Sequence, residues 1–192
     1  IIALAYDIPA INRVVDFINL MAYDFTDFHL YYPFTGYNSA LYPSKAQKGY
    51  FATLNTAHAA HYWAEAGMNK SKIMVGIATY GHSYNLLFSW LTYPGAPATS
   101  EGREFSYGDV CEFVHQPGTV RVWDEVARVP YAYNGKIWVT FEDYLSVTQK
   151  TKWIKKNGFG GAMTYDLNSD DYDRVCNAWK PFELQEIIYH GT

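Results

Sequence analysis

The chain has 192 residues, 49% of them hydrophobic, which is long and apolar enough for one domain with a sizeable core and excludes a disordered tail. Its 15 Lys and Arg against 19 Asp and Glu give a net charge of -4 without a basic cluster, which excludes an electrostatic surface for nucleic acid or anionic lipid. No apolar run approaches the roughly 18–20 residues that a membrane helix needs. The 18% aromatic content suits flat amphipathic ligands such as sugars, although tyrosine is also ordinary core filler.

Three nearly continuous apolar runs, at residues 15–23, 72–79 and 158–165, predict strands that are covered on both faces. Helical patterns lie between them at residues 54–66 and 141–156, and each pattern ends close to a glycine. This alternation of strands and helices predicts an α/β fold with a parallel sheet.

The separations between these strands, about 57 and 86 residues, exceed the roughly 30 residues of a simple strand–helix–strand unit. A long loop accounts for part of the extra residues between the first and second strands. The extra residues between the second and third strands contain short strand candidates and turn residues of their own, which predicts an inserted subdomain. We therefore expect two parts of one α/β unit at residues 1–83 and 137–192, with the insertion at residues 84–136.

The first and third strands end on the same pattern, Met-x-Tyr-Asp, at residues 21–24 and 163–166. Residues two apart in a strand share a face, so Met21 should point the same way as Tyr23, and Met163 the same way as Tyr165. Tyr80 follows the middle strand in the same manner. Because α/β sheets build their sites at the carboxyl ends of their strands, these tyrosines predict a site lining. The alternative is that the same side chains are layers of a core.

Five segments in order resemble glycoside hydrolase family 18, the chitinases and chitinase-like lectins. The run F-I-N-L-M-A-Y-D-F is similar to the sixth barrel strand of that family, and the later segments T-G-Y-N-S-A-L-Y, M-V-G-I-A-T-Y-G-H-S-Y, P-Y-A-Y-N-G…W-V and G-G-A-M-T-Y-D-L…D-D also match its pattern. The resemblance implies a partial TIM (β/α)8 barrel, strands six to eight, with an α+β chitinase insertion domain.

The catalytic signature of that family, D-G-x-D-x-D-W-E with Glu as general acid, does not occur in the sequence. The chain also starts with neither an initiator Met nor a signal peptide. We therefore expect the carboxyl-terminal half of a longer protein, inactive by itself.

For the whole protein, the resemblance implies a secreted, monomeric, endo-acting glycosidase that cleaves β-1,4-linked N-acetylglucosamine polymers by a retaining, substrate-assisted mechanism. It implies no nucleic-acid or membrane partner and no cofactor. One alternative is a chitinase-like lectin that binds chitin oligosaccharides without hydrolysis. Another is a self-standing three-stranded α/β binding module.

The same resemblance implies roles for the residues at the strand ends. Tyr23 would donate a hydrogen bond to the acetamido group of the sugar, and the carboxylate of Asp24 would stabilise the developing positive charge. Met21 and Met163 would form apolar walls. Tyr165 stands where the family usually has a Trp as the floor under the scissile sugar, and a Tyr stacks there with less area.

Three further residues are predicted to bind substrate: Tyr80, His82 and Glu101. His82 replaces the usual Arg of the family, which exchanges a permanent five-donor group for a titratable ring. Tyr37 replaces a His. Glu101 corresponds to an acidic residue of the family's cleft, or it is simply a solvated side chain.

Two cysteines, Cys111 and Cys176, are ambiguous by count alone, because free buried thiols are usual in a cytosolic protein. The resemblance implies a disulfide between the insertion and the final helix. Asn69 begins the single N-x-S/T sequon and is a candidate glycosylation site in the loop before the second strand. Bridge and sequon together favour secretion.

No metal site is predicted. Asp166, Asn168 and Asp170 are spaced like the start of a calcium loop, but Asp171 occupies the position that requires Gly. His58 and His61 share a helix face without the H-E-x-x-H pattern of a zinc site.

Overall fold

The structure, a computed structural model, describes residues 2–177 and 179–192. Its helices in chain order are α1 (Ile2–Ala5), α2 (Ile8–Val14), α3 (Thr56–Glu65), α4 (Tyr107–His115), α5 (Tyr144–Asn157) and α6 (Glu183–Gly191), with short 3-10 helices at Gly49–Thr53 and Lys70–Lys72. Its strands are β1 (Ile18–Leu20), β2 (Ile73–Ala78), β3 (Tyr80–Leu86), β4 (Ala98–Ser106), β5 (Val120–Asp124), β6 (Val129–Asn134), β7 (Ile137–Thr140) and β8 (Gly161–Tyr165).

The three predicted strands form one parallel sheet in the order β1-β2-β8. Leu20 pairs with Val75 on one side of β2, and Ala78 pairs with Tyr165 on the other side. Ile73, Val75 and Ile77 on one face of the central strand are completely buried, and so is Ala78 on the other face. The prediction of a parallel sheet is therefore confirmed, and its apolar pattern follows from cover on both faces.

The ends of two strands differ from the prediction. Pairing of β1 ends at Leu20, because the chain turns away into a loop whose Ala22 is buried and bonded through its carbonyl oxygen to the hydroxyl of Thr56 (3.3 Å). β8 starts three residues later than predicted. Gly158, at φ 72°, forms the left-handed C-cap of α5, so the first residues of that apolar run belong to a turn.

The helices α3 and α5 lie between the strands, as the sequence predicted, and their first residues are set by side-chain caps. Asn55 accepts a hydrogen bond from the amide of His58 and begins α3. Asp143 and Ser146 form a reciprocal capping box, so α5 begins at Tyr144, three residues after the predicted start. Trp63 from α3 belongs to the same core cluster as the buried side chains of β2.

A second sheet of five antiparallel strands has the order β4-β3-β7-β6-β5 and runs from Tyr80 to Thr140. The helix α4 joins β4 to β5. Cys111 on this helix forms a disulfide with Cys176, with the two Cα atoms 5.2 Å apart, and this confirms the predicted pair. The expected insertion at residues 84–136 lies inside this sheet, and its assignment as a separate domain stays a prediction.

Among the described residues, no helix has the length and apolar character needed to cross a membrane.

An ion pair with no solvent exposure lies where α5 packs behind the two sheets. The ammonium of Lys150 donates hydrogen bonds to the carboxylate of Glu142 and to the carbonyl oxygen of Ser39. The hydroxyl of Ser39 donates to the same Glu142 oxygen (2.5 Å). Burial of this kind costs desolvation energy, so each charge depends on its partner.

We expect Lys150→Met to lower the free energy of unfolding of the whole protein by about 3–5 kcal/mol, because it leaves the carboxylate of Glu142 buried without its counter-charge. The double variant Lys150→Met, Glu142→Leu should recover most of that loss. Urea denaturation measures both. As a control, Lys180→Met removes the exposed ion pair with Glu186 and should leave the urea midpoint unchanged. If the double variant at Lys150 and Glu142 is as unstable as Lys150→Met alone, the prediction is contradicted.

Candidate active site

Three tyrosine rings meet at the carboxyl edge of the parallel sheet. The ring of Tyr23 stacks on that of Tyr165, with centroids 5.7 Å apart and planes 20° apart. The ring of Tyr80 meets both of them edge-on at 6.1 and 6.3 Å. Parallel strands end on one side of their sheet, so residues that are far apart in sequence form one aromatic wall. The structure thus brings together the three tyrosines that the strand ends predicted.

Asp24 lies beside this wall, and two donors converge on one oxygen of its carboxylate. The hydroxyl of Tyr80 donates to Oδ1 at 2.5 Å, and Nε2 of His82 lies 2.9 Å from the same atom. Nε2 of His82 is also 3.8 Å from a carboxylate oxygen of Asp27. The carboxylate of Asp24 is half exposed, so it is held from the side and still faces the cleft.

The hydroxyls of the two buried tyrosines remain protonated in the neutral pH range. Burial raises the pKa of Tyr80 far above its usual 10.0, and the hydrogen bond to Asp24 raises it further. Burial also raises the pKa of Tyr23, with the negative charge of Asp24 as the second cause. Since neither phenol gives up its proton readily, both hydroxyls keep a proton that they can donate.

The cleft in front of these groups has a volume of about 320 Å³. Of the residues already named, Asp24, Tyr80, His82 and Tyr165 line it. The other lining residues are Glu104, Asp166, Asn168 and Ser169. Sequence reasoning missed Glu104, which faces His82 across the β3–β4 pair. Its only sequence signal was its place in a strand of uncertain register.

Glu101, the acidic residue that the sequence singled out, is also near His82. The ligand atoms of Asp27, His82 and Glu101 lie within 4.8 Å of one another, the one such group of three among the described residues. Ligands bound to one tetrahedral zinc ion at 2.0–2.1 Å lie roughly 3.3 Å apart. These side chains would therefore have to close around a metal, and we assign none to them.

The two methionines have different surroundings. Met163 packs against the cluster of Tyr23, Ala78 and Tyr80. Met21 is 72% exposed, whereas Tyr23 is buried. The expectation that Met21 and Tyr23 share a face required a strand through residue 23, and β1 ends before it.

Asn69 is exposed at the start of the Lys70–Lys72 turn, before the amino end of β2 and on the opposite edge from the cleft. Its side-chain oxygen accepts hydrogen bonds from the amide (3.1 Å) and the hydroxyl (3.0 Å) of Ser71. Glycosylation of this residue stays a prediction.

The model of glycosyl hydrolases family 18 matches residues 2–170. The chain belongs to this family. It is 34% identical over 180 residues to a probable endochitinase of Caenorhabditis elegans, which covers 90% of this chain and 29% of that protein. The family 18 chain therefore spans less than a third of that relative.

Two solved structures are similar over almost the whole chain. An immunomodulatory active chitinase from Trichuris suis has a TM-score of 0.90 and 34% identity, over 96% of this chain and 53% of that one. Human YKL-39, described as a pseudo-chitinase with retained chitooligosaccharide binding properties, has a TM-score of 0.91 and 30% identity, over 97% of this chain and 53% of that one. This family 18 chain spans about half of each.

We expect Asp24→Asn to shift the carbon-13 resonance of the Tyr80 ring carbon that carries the hydroxyl, because a neutral amide replaces the charged carboxylate that accepts its hydrogen bond. Carbon-13 NMR of labelled tyrosine at neutral pH measures this shift. Asp16→Asn, at an exposed residue two positions before β1, is the matched control and should leave the Tyr80 resonance unchanged. Equal Tyr80 resonances in wild type and Asp24→Asn would contradict the assigned hydrogen bond.

Proposed function

We propose that this chain is the carboxyl-terminal half of a family 18 chitinase. The whole protein would be a secreted and monomeric glycosidase that hydrolyses β-1,4-linked N-acetylglucosamine polymers at internal bonds of the polysaccharide. The observation that carries the proposal is the carboxylate of Asp24, held by Tyr80 and His82 beside an aromatic wall. An aromatic wall offers a face for the apolar side of a sugar ring, and a fixed carboxylate offers charge where a cation develops.

In the proposed architecture, β1, β2 and β8 are strands six to eight of a TIM (β/α)8 barrel. A chitinase insertion, centred on residues 84–136 and built from the antiparallel sheet, separates residues 1–83 from residues 137–192. The parallel order β1-β2-β8 supports this architecture, because consecutive barrel strands lie side by side. β1 and β8 would then pair with barrel strands outside this chain.

In the proposed reaction, the carbonyl oxygen of the substrate's own acetamido group attacks the anomeric carbon, and a general acid outside this chain protonates the leaving glycosidic oxygen. The hydroxyl of Tyr23 would donate to the acetamido group and hold it for attack. The carboxylate of Asp24 would stabilise the positive oxazolinium that forms. Water then opens the oxazolinium, so the configuration at the anomeric carbon is retained.

The remaining cleft residues would bind and orient the sugars. Tyr165, which is half exposed and stacked on Tyr23, would be the floor under the scissile unit. Met163 would close the apolar wall behind it, and Met21 would contact a sugar from the exposed rim. His82 and Glu101 would bind polar groups at the opposite rim.

A chitinase-like lectin is the second candidate, and the likeness to human YKL-39 favours it. The cleft of this chain contributes sugar contacts in either case. The two candidates differ in whether the whole protein turns over chitin oligosaccharides.

We expect Asp24→Asn in the whole protein to lower kcat for chitin oligosaccharides far more than it weakens their binding, because the carboxylate acts on charge that exists only in the transition state. Asp16→Asn should change neither. Steady-state kinetics and calorimetric titration measure the two effects. Binding without turnover in the wild type would establish the lectin, and equal losses of turnover and affinity would remove the role assigned to Asp24.

We expect protein secreted by a eukaryotic cell to carry the Cys111–Cys176 disulfide and a glycan on Asn69, since the secretory pathway both oxidises cysteine pairs and glycosylates N-x-S/T sequons. Mass analysis of a non-reduced digest detects the linked cysteine peptides. Asn69→Gln should remove the glycan mass and leave turnover unchanged, because Asn69 lies at the edge of the sheet away from the cleft. Free thiols in the secreted protein would contradict the proposed extracellular setting.

A further inference from the structure

Asn38, which is completely buried, lies between the two chain segments that form the proposed site. Its side-chain oxygen accepts a hydrogen bond from the amide of Asp24 (2.8 Å), and its side-chain nitrogen donates to the carbonyl oxygen of Tyr80 (3.4 Å). One side chain therefore joins the main chains of two residues whose side chains meet in the Tyr80–Asp24 hydrogen bond.

The main chain of Asn38 is itself fixed on both sides. Its amide donates to the hydroxyl of Thr140 at the end of β7 (3.1 Å), and its carbonyl oxygen accepts from the amide of Phe25 (2.9 Å). Successive amides of Asp24 and Phe25 are thus bound by one residue. The loop after β1 is held against Asn38 at the point where the carboxylate leaves it.

Asp24 needs such a partner because its backbone has φ 55°, in the left-handed region that side chains other than glycine seldom adopt. A residue keeps this conformation where its surroundings determine it. The amide of Asp24 points at the side-chain oxygen of Asn38, and this contact fixes the direction of the peptide. The direction of the peptide in turn sets where the carboxylate projects.

The next residue, Ser39, connects this loop to the buried ion pair of Lys150 and Glu142. Its carbonyl oxygen and its hydroxyl are both bonded within that pair. Buried, hydrogen-bonded polar groups of this kind make a segment rigid. Asn38 is therefore placed by Thr140 of β7 on one side and, through Ser39, by Lys150 of α5 on the other.

We propose that Asn38 is a positioning residue that holds the carboxylate of Asp24 for the proposed hydrolysis. The role rests on the proposed function, because the geometry of Asp24 matters for turnover only if the whole protein is an enzyme. Asn38 does not touch the sugar, since its side chain is buried behind Asp24. Its loss should therefore lower turnover and leave sugar binding almost unchanged.

The chain offers a matched control in Asn55. Only 1% of the Asn55 surface is exposed. Its side chain accepts a hydrogen bond from the amide of His58 (2.9 Å) and donates one to the carbonyl oxygen of Ala52 (2.9 Å). The first contact caps α3, and the second is made to the 3-10 helix Gly49–Thr53 that precedes it. Asn55→Ala therefore removes a buried, hydrogen-bonded amide of equal size away from Asp24.

The experiment compares Asn38→Ala with Asn55→Ala in the whole protein, at a temperature where both variants are folded, with the tetramer of N-acetylglucosamine as substrate. We expect Asn38→Ala to lower kcat about 100-fold while Kd changes less than about threefold, because small displacements of a reacting group are costly. Asn55→Ala should keep kcat within about twofold of the wild type, since its contacts lie outside the site. Equal losses of kcat in the two variants would overturn the proposal.

A second measurement separates this proposal from the proposed function. If Asn38→Ala releases Asp24, the hydrogen bond from Tyr80 to Asp24 weakens, and the carbon-13 resonance of the Tyr80 ring carbon that carries the hydroxyl shifts as it does in Asp24→Asn, whereas Asn55→Ala leaves it unchanged. A wild-type protein without turnover would reject the enzyme, and the Tyr80 resonance at neutral pH would then decide by itself whether Asn38 holds Asp24. An unchanged Tyr80 resonance in Asn38→Ala would overturn the proposal.

Should Asn38→Ala fail to fold, Thr140→Val provides the same test with a side chain of equal shape. It removes only the hydroxyl that accepts from the amide of Asn38. We expect a loss of about tenfold in kcat, the scale of one hydrogen bond, and a smaller shift of the Tyr80 carbon-13 resonance than in Asp24→Asn. No change in either quantity would overturn the proposal.

Discussion

The structure depends on the continuity of β2 and β3, which are separated by a single residue. Ala78 pairs with Tyr165 in the parallel sheet, and Tyr80, two residues later, pairs with Ser106 in the antiparallel sheet. Thr79 fixes this junction, because its amide donates to the carbonyl oxygen of Tyr165 (3.0 Å) and its hydroxyl donates to that of Asp166 (2.5 Å). The continuous segment β2–Thr79–β3 thus sets the angle between the two sheets. The cleft lies between them, next to this junction.

The polar groups behind the cleft have a different character from those inside it. Lys150 and Glu142 are fully buried and bonded to each other and to Ser39 through one oxygen of the Glu142 carboxylate, which makes them costly to separate. Asp24 and His82 lie in front of them with partial exposure, where a sugar can reach them. A rigid, buried network that supports an open carboxylate is the arrangement that preorganised electrostatic stabilisation requires, because the dipoles need not move when charge develops.

The central strand and its carboxyl end could be predicted from the sequence, because a strand buried on both faces has a continuous apolar run. The meeting of the three tyrosines could also be predicted, because each follows a parallel strand and parallel strands end at the same edge of their sheet. The two-residue alternation of side-chain direction holds only within a paired strand. Because β1 ends at Leu20, this alternation could not predict the exposure of Met21. Asn38 was missed because its contacts reach 14, 42 and 102 residues along the chain, and no local pattern encodes them. Glu104 depended on the register of β4, which shifts twice along the β3 pair.

The two proposed functions would use the groups of this chain in different proportions. Stacking on Tyr165 and hydrogen bonds from protonated tyrosines would stabilise a bound sugar equally in a lectin and in an enzyme. The electrostatic interaction of a carboxylate is strongest with a positive charge, and an unreacted neutral sugar carries no such charge. The placement of Asp24 therefore contributes little to binding. The structure nevertheless places Asp24 in a left-handed backbone conformation and directs two donors to one of its oxygens. The hydrogen bonds around Asp24 hold this conformation, and a carboxylate that is fixed in advance stabilises positive charge as it develops in a transition state. The proposed hydrolysis would use this placement of Asp24, whereas binding of a neutral sugar would gain little from it.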